Sequence, residues 1–321
     1  MNGLSKLLVI VGSTAVGKTL CSLQIARSLN GEVVSADSRY LYRGMNIGTA
    51  KPDVVEMESI CHHLIDVANP DTAWSLAKYK RVACEAIADI QDRGKLPILV
   101  GGTGQYVKAI LEGWNIPPRP DDQSLRSELE AIAGEPDGEK ALMNRLVELD
   151  PDAAKTIDRR NVRRVIRALE VTLFTGEPFS AQRQKSPPTY DTFVMGLSMS
   201  RQRLYARIDA RIEAMVRGGW VEEVSQLLHQ GYHWKMPAMS ALGYREIGAY
   251  LDGEIDLVET KQRIRRASRR LVRRQSAWFR ADDENIHWYE AGEYDMSTMQ
   301  QDIARWCAGR QPEPGYHPKT G

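Results

Sequence analysis

The stretch that most restricts what this chain can fold into is VIVGSTAVGKTL, residues 9–20, where an apolar run enters a glycine-framed loop and continues in helical pattern. The spacing Gly12-x-x-x-x-Gly17-Lys18-Thr19 turns successive backbone N–H groups toward an anion at a helix N-terminus. Lys18 adds a point charge, and the Thr19 hydroxyl suits Mg²⁺. Such a loop must be fed by a strand and received by a helix. LLVIV (7–11) therefore reads as a parallel strand buried on both faces, and roughly 18–29 as helix. The bland alternative is a chance match to a short pattern, and these flanks argue against it.

GEVVSADS (31–38) reads as a second strand and LPILVGGTG (96–104) as a third, with a helix over 74–94 leading into it. This is a βαβ crossover, so the fold class is α/β with a parallel sheet. Ligands of such sheets gather at the carboxyl ends of the strands. Gly12–Thr19, Asp37–Ser38 and Gly101–Gly104 all fall there. A proline-rich break at WNIPPRPDD (114–122) opens a helical stretch to about 185, and TFVMGLSM (192–199) returns to the sheet. Amphipathic helix follows, over 201–231 among others. The expected organisation is a core over 1–114, a helical insertion over 115–190, a second core part with basic C-terminal helices over 191–307, and a disordered tail over 308–321.

With 42% hydrophobic residues in 321, the chain can bury a full core, and its net charge of +1 makes any basic footprint local. Four scattered cysteines without a C-x-x-C pair argue against a zinc knuckle or disulfide framework and suit a reducing compartment. No apolar run is long enough to span a membrane, so a soluble cytoplasmic protein is expected.

Two arginine clusters stand out. RRNVRRVIRALE (159–170) carries five arginines against one acid. KQRIRRASRRLVRRQSAWFR (261–280) has no acid at all, and places Ile264, Ala267, Leu271, Gln275 and Trp278 along one helical face. A solvated face usually mixes signs. Unrelieved positive charge opposes folding by self-repulsion, so the expected partner is a polyanion, a nucleic acid.

Asp37 ends a strand beside the phosphate loop, where a carboxylate can take a proton or hold a metal through water. Its bland reading is a helix cap. GGTGQY (101–106) offers close backbone approach and the Thr103 hydroxyl, a weak signal alone. The apolar strand ending in aspartate that nucleotide hydrolases use for Mg²⁺ is missing. LPILVGG ends in glycine, and HHLIDV (62–67) is a poor substitute. On these residues alone a small-molecule kinase with a divergent metal site stays open.

The phosphate loop, ADSRYLYRGMNIGTAKP, HHLID, GGTGQYVKAILEG, RRVIRALEV, SALGYREI and RRQSAWFR, in this order, resemble the bacterial tRNA dimethylallyltransferase (tRNA isopentenyltransferase) family over roughly residues 5–285. The resemblance implies a P-loop nucleotide-kinase-like core and an all-helical insertion that contacts tRNA. It implies transfer of a dimethylallyl group from dimethylallyl diphosphate to N6 of adenine 37, just 3′ of the anticodon, with pyrophosphate released. By position, it makes Asp37 the base, and Lys18, Thr19 with Mg²⁺, and Arg211 the groups that grip the diphosphate. The diphosphate loop is then Gly12, Ser13, Thr14, Ala15, Val16, Gly17, Lys18 and Thr19.

Three groups of positions match tRNA-contacting stretches of the family: Asp37, Ser38, Arg39, Tyr40 and Thr103; Arg126, Arg163, Arg164, Val165, Ile166 and Arg167; and Ser240, Ala241, Leu242, Gly243, Tyr244 and Arg245. Arg39 departs from the family, which often has glutamine there. The implied partners are the anticodon stem-loop of tRNA and dimethylallyl diphosphate, the implied cofactor Mg²⁺, and the expected form a monomer. The alternatives are a prenyltransferase on free adenine nucleotides, which has no use for the arginine clusters or the insertion, and an ATP-using kinase.

Overall fold

The computed structural model describes residues 4–57, 60–117, 124–182, 186–293 and 295–310. The chain divides into two compact units, Met1–Leu111 with Thr189–Gly321, and Glu112–Pro188, against expected breaks after 114 and 190.

The first unit begins with β1 (Ser5–Gly12), α1 (Lys18–Ser28), β2 (Gly31–Ser35), a single turn α2 (Val54–Met57), β3 (His62–His63), α3 (Leu76–Asp92), β4 (Leu96–Gly101) and α4 (Gly104–Leu111). The second unit holds α5 (Ser124–Ala133), α6 (Gly138–Leu149), α7 (Pro151–Thr156), α8 (Val162–Thr175) and α9 (Phe179–Gln182). The first unit resumes with β5 (Tyr190–Ser198), α10 (Arg201–Arg217), α11 (Trp220–His229), a 3₁₀ turn (Ala238–Ser240), α12 (Tyr244–Leu251), α13 (Leu257–Trp278), β6 (Ile286–Glu290) and α14 (Met296–Cys307).

Among the described residues six strands form one sheet, all parallel, in the order β3-β2-β4-β1-β5-β6. Leu7 to Val11 are wholly buried, as a central strand covered on both faces must be. The register pairs Val11 with Gly101, and Ser35 with Val100. The ends of β1, β4 and β2 are thereby level, and the segments that leave them meet. Gly12 has φ +147°, and a Cβ there would lie 2.6 Å from the Leu197 carbonyl oxygen on β5, so no side chain fits. At the opposite end of β2, buried Glu32 receives Arg93, Lys95 and His63. Its hydrogen bond from Arg93 holds its carboxyl far below the usual range against the opposing effect of burial, with help from Lys95 and His63.

The stretch expected as one helix over 201–231 breaks into α10 and α11 at Gly218–Gly219, where Gly219 takes φ +97°. β6 and α14 were not legible in the sequence. In the second unit Leu129, Leu142, Leu146, Ile157, Val165, Ile166 and Leu169 close a separate core. Asp150 accepts the Ala153 N–H to cap α7 and also binds Ser180, which ties α9 down. The expected tail lies outside the described residues from 311 on. Among the described residues no helix is long and apolar enough to cross a membrane, and none of the four cysteines is in a disulfide.

Candidate active site

A cavity of about 1010 Å³ in the first unit is bordered by the phosphate loop, by the segments that follow β2 and β4, and by α10, α12 and α13. The loop bends through left-handed conformations at Ala15 (φ 65°) and Gly17 (φ 113°) and opens α1, with the Thr14 N–H held by Gln275 and the Val16 N–H by the Ser13 carbonyl. Lys18 Nζ donates to the carbonyls of Gly12 at 3.0 Å and Ser13 at 2.9 Å. Burial pushes its ammonium down to about 8. Asp37 pulls it back up, and Arg211 pushes it down. Lys18, Asp37 and Arg211, from α1, the end of β2 and α10, thus feel one another's charge across the same cavity. Asp37, Thr19 and Arg211 all line the cavity.

Past β2 the chain turns sharply. Asp37 Oδ1 accepts the Arg39 N–H at 2.8 Å, a turn-forming bond rather than a helix cap, since the next helix starts only at Val54. Among the described residues no hydrogen bond from protein occupies its other oxygen. The Ser38 N–H donates to Thr103 Oγ1 at 3.1 Å and the Thr103 N–H to the Ala36 carbonyl at 3.2 Å, so the turns after β2 and β4 brace each other. The Tyr40 hydroxyl donates to the Ala50 carbonyl at 2.8 Å, and burial and then Asp37 raise its pKa. Buried Lys51 holds the far end of this segment through the Tyr42 carbonyl, Asn46 Oδ1 and Asp66. The GTAKP and HHLID motifs are thus joined by an ion pair of 2.6 Å.

Arg39 reaches the 3₁₀ turn. Its guanidinium donates to the Pro237 carbonyl at 3.0 Å and to Ser240 Oγ at 3.3 Å, which connects the 37–40 and 240–245 stretches. Ser240, Ala241, Leu242 and Arg245 line the cavity. Gly243, at φ +91°, starts α12, and its N–H donates to Glu246. Tyr244 lies elsewhere. It is fully buried, and its hydroxyl donates to Glu223 at 2.7 Å. Glu223, which sequence reasoning missed, also accepts the backbone N–H groups of Asn46, Ile47 and Gly48.

The residues of the second unit also divide. Arg163 and Arg164 are exposed on α8. Val165 and Ile166 are core, 1% and 2% exposed, because α8 turns that face onto α5 and α6. Their side chains support the arginines and present no surface to a ligand. Arg167 pairs with Glu170 at 2.8 Å and donates to the Pro117 carbonyl, and Arg126 pairs with Glu130 at 2.9 Å.

The reading of α13 as unrelieved positive charge needs correction. Arg265 pairs with Glu213 at 2.6 Å, Lys261 with Glu213 at 3.0 Å, and Arg269 with Asp209 at 3.0 Å while lying over the Tyr205 ring. Both acids stand on α10. The exposed guanidinium groups are Arg263, Arg266, Arg270, Arg273 and Arg274, and Arg263 pairs with Glu259. The buried stripe runs through Thr260, Ile264, Ser268, Val272 and Gln275. Ala267, Leu271 and Trp278, expected on that stripe, border the cavity instead, as do Arg270 and Arg274.

Thr19, Asp37 and Glu56 border the cavity together, a hydroxyl and two carboxylates. Their donors are all oxygen, the chemistry Mg²⁺ takes beside a diphosphate, so the Thr19 hydroxyl at the mouth of the loop fits that ion.

A family model described as IPP transferase matches residues 40–282. The chain is 53% identical over 277 residues to a tRNA dimethylallyltransferase of Roseiflexus sp. (strain RS-1), covering 85% of this chain and 90% of that one. It is 50% identical over 297 residues to a tRNA dimethylallyltransferase of Herpetosiphon aurantiacus, covering 92% and 94%. Among solved structures, the full-length tRNA isopentenylpyrophosphate transferase from Bacillus halodurans is similar with a TM-score of 0.69 and 41% identity, over 95% of this chain and 96% of that one. A eukaryotic dimethylallyltransferase caught acting on tRNA is similar with a TM-score of 0.82 and 27% identity, over 98% and 82%.

Proposed function

The chain belongs to the tRNA dimethylallyltransferase family, and on that premise we propose that it moves the dimethylallyl group of dimethylallyl diphosphate to N6 of adenine 37, just 3′ of the anticodon, and releases pyrophosphate. The observation that carries this reading is that an anion-holding loop and the Asp37–Ser38–Thr103 turn border one cavity. A diphosphate and an adenine can therefore meet without either leaving its binding groups.

In this mechanism the allylic C–O bond breaks and negative charge grows on the diphosphate. The loop N–H groups, Lys18 and Arg211 stabilise that charge as it develops. Adenine's exocyclic amine is a poor nucleophile, and Asp37 takes its proton as the C–N bond forms. Thr19 is the residue that would hold Mg²⁺, which when bound supplies further neutralisation of the leaving group. The target base must first leave its stack, at a cost of about a few kcal/mol, least in a loop. Exposed Arg163 and Arg164, and Arg266, Arg270, Arg273 and Arg274, are the proposed phosphate contacts. A cytoplasmic monomer is the proposed form.

The test is to incubate the protein with bulk tRNA and either radiolabelled dimethylallyl diphosphate or γ-labelled ATP, with AMP as a competing acceptor. Label should enter tRNA from the allylic donor alone. Label passing to AMP would replace this reading with an adenylate prenyltransferase, and transfer from ATP would replace it with a kinase.

A further inference from the structure

One buried polar side chain in the cavity wall has no part in the steps above. Gln275, in the last turn of α13, is 8% exposed. Its Oε1 accepts the Thr14 N–H at 2.8 Å, and its Nε2 donates to the Gly102 carbonyl at 3.1 Å. A single carboxamide thus spans the phosphate loop and the turn that carries Thr103. The orientation is forced. One partner is a donor and the other an acceptor, so a flipped amide would satisfy neither. The approach is close enough that a Cβ on Gly102 would lie 2.3 Å from Nε2. Trp278, one turn further on, packs so tightly that a Cβ on Gly104 would lie 2.1 Å from its ring. Small residues on the β4 side and a glutamine on α13 are therefore complementary.

We propose that Gln275 is a positioning residue that fixes the spacing between the donor loop and the acceptor turn, so that the allylic carbon meets the adenine amine and not water. This rests on the reading that the diphosphate occupies Gly12–Thr19 and the amine faces Asp37. The donor has two fates. In transfer, the carbon leaves the diphosphate oxygen and bonds to N6, whose proton goes to Asp37. In hydrolysis, the same C–O bond breaks, the carbon bonds to a water oxygen, and that water's proton goes to solvent, yielding dimethylallyl alcohol and pyrophosphate. The two substrates must be held in register for the first to win. Gln275 is the side chain that touches both their supports.

The experiment measures prenylated tRNA and pyrophosphate separately under single-turnover conditions. Gln275→Met keeps length and volume but removes both hydrogen bonds. Gln275→Glu still accepts the Thr14 N–H but cannot donate to Gly102, and it adds charge beside the diphosphate. Loss of register of this kind should slow transfer about 10- to 100-fold. In both variants pyrophosphate should exceed prenylated tRNA while KM for tRNA is unchanged, and Gln275→Glu should in addition raise KM for the donor. A merely structural role would lower the thermal midpoint and leave the product ratio at one. Wild-type transfer with one pyrophosphate per prenyl group in Gln275→Met overturns the proposal, and if that variant fails to fold, a ratio of one in Gln275→Glu does so. Lys18→Ala and Asp37→Asn are run alongside. Wild-type rates in those two would instead refute the assignment of the two substrate sites.

Discussion

Replacing Glu223 by alanine should be strongly destabilising although the residue lies outside the reacting groups. The carboxylate, 8% exposed on α11, accepts the N–H groups of Asn46 and Ile47 at 2.7 Å each, the Gly48 N–H at 3.1 Å and the Tyr244 hydroxyl at 2.7 Å. A hydrogen bond to a charged group is worth about 1.5–3 kcal/mol, and stranding a buried donor costs about 1–3 kcal/mol. Four such bonds do not add, because the loop relaxes and water reaches part of it. The equivalent of two bonds lost gives about 3–5 kcal/mol. At about 2–4 °C per kcal/mol for a chain of this size, the melting midpoint should fall by about 6–20 °C.

Glu223→Gln should lose roughly half as much, since its amide oxygen still accepts two N–H groups while its NH₂ faces donors. Urea unfolding followed by tryptophan fluorescence reads the effect, because Trp220 lies on the same helix and against Gly48. Function should suffer on one side only. The 46–50 segment ends at the carbonyl that receives the Tyr40 hydroxyl, so kcat/KM for tRNA should fall while KM for the donor holds. A stability loss under about 1 kcal/mol, the size of an ordinary surface change, would refute the reasoning.

Three further outcomes are expected. Because burial lowers the Lys18 ammonium to about 8, with Asp37 opposing and Arg211 assisting, kcat/KM for the donor, which reports the free enzyme, should decline as pH rises through about 8. Lys18→Arg should lack that limb. The same depression means that charged Lys18 weighs against the fold below pH about 8, and that stability from this group rises with pH from there toward the unfolded value of 10.5, which pH-dependent urea titration checks. Asp37→Asn should lower the single-turnover rate about 10²–10⁴-fold with both KM values little changed, and a near-wild-type rate at saturation would remove Asp37 from the chemistry. Arg266→Ala and Arg270→Ala should each lower the salt slope of tRNA binding by roughly one unit, whereas Arg269→Ala, engaged with Asp209 and Tyr205, should lower stability and leave the slope unchanged. An equal fall in slope for Arg269→Ala would show that its ion pair opens on tRNA.

The phosphate loop, the buried strand before it and the placement of Asp37 and Thr103 at strand ends were legible in the sequence because each rests on local causes. Glycine spacing sets a loop's backbone within eight residues, and a short unbroken apolar run that feeds such a loop reads as a doubly covered strand. The charge on α13 was misjudged for the opposite reason. The acids that answer Lys261, Arg265 and Arg269 are Glu213 and Asp209 on α10, about fifty to sixty residues away, and only helix packing brings them there. Residues 165, 166 and 244 sit inside motif stretches yet point into cores: α8 presents Arg163 and Arg164 outward and so turns their neighbours inward, and α12 turns Tyr244 onto Glu223. Gln275 did leave a trace, a polar residue on an otherwise apolar stripe, but its partners could not be read from it. Thr14 lies 261 positions away and Gly102 lies 173, and a hydrogen bond over such a separation exists only once the sheet order β4-β1 has set their two loops side by side.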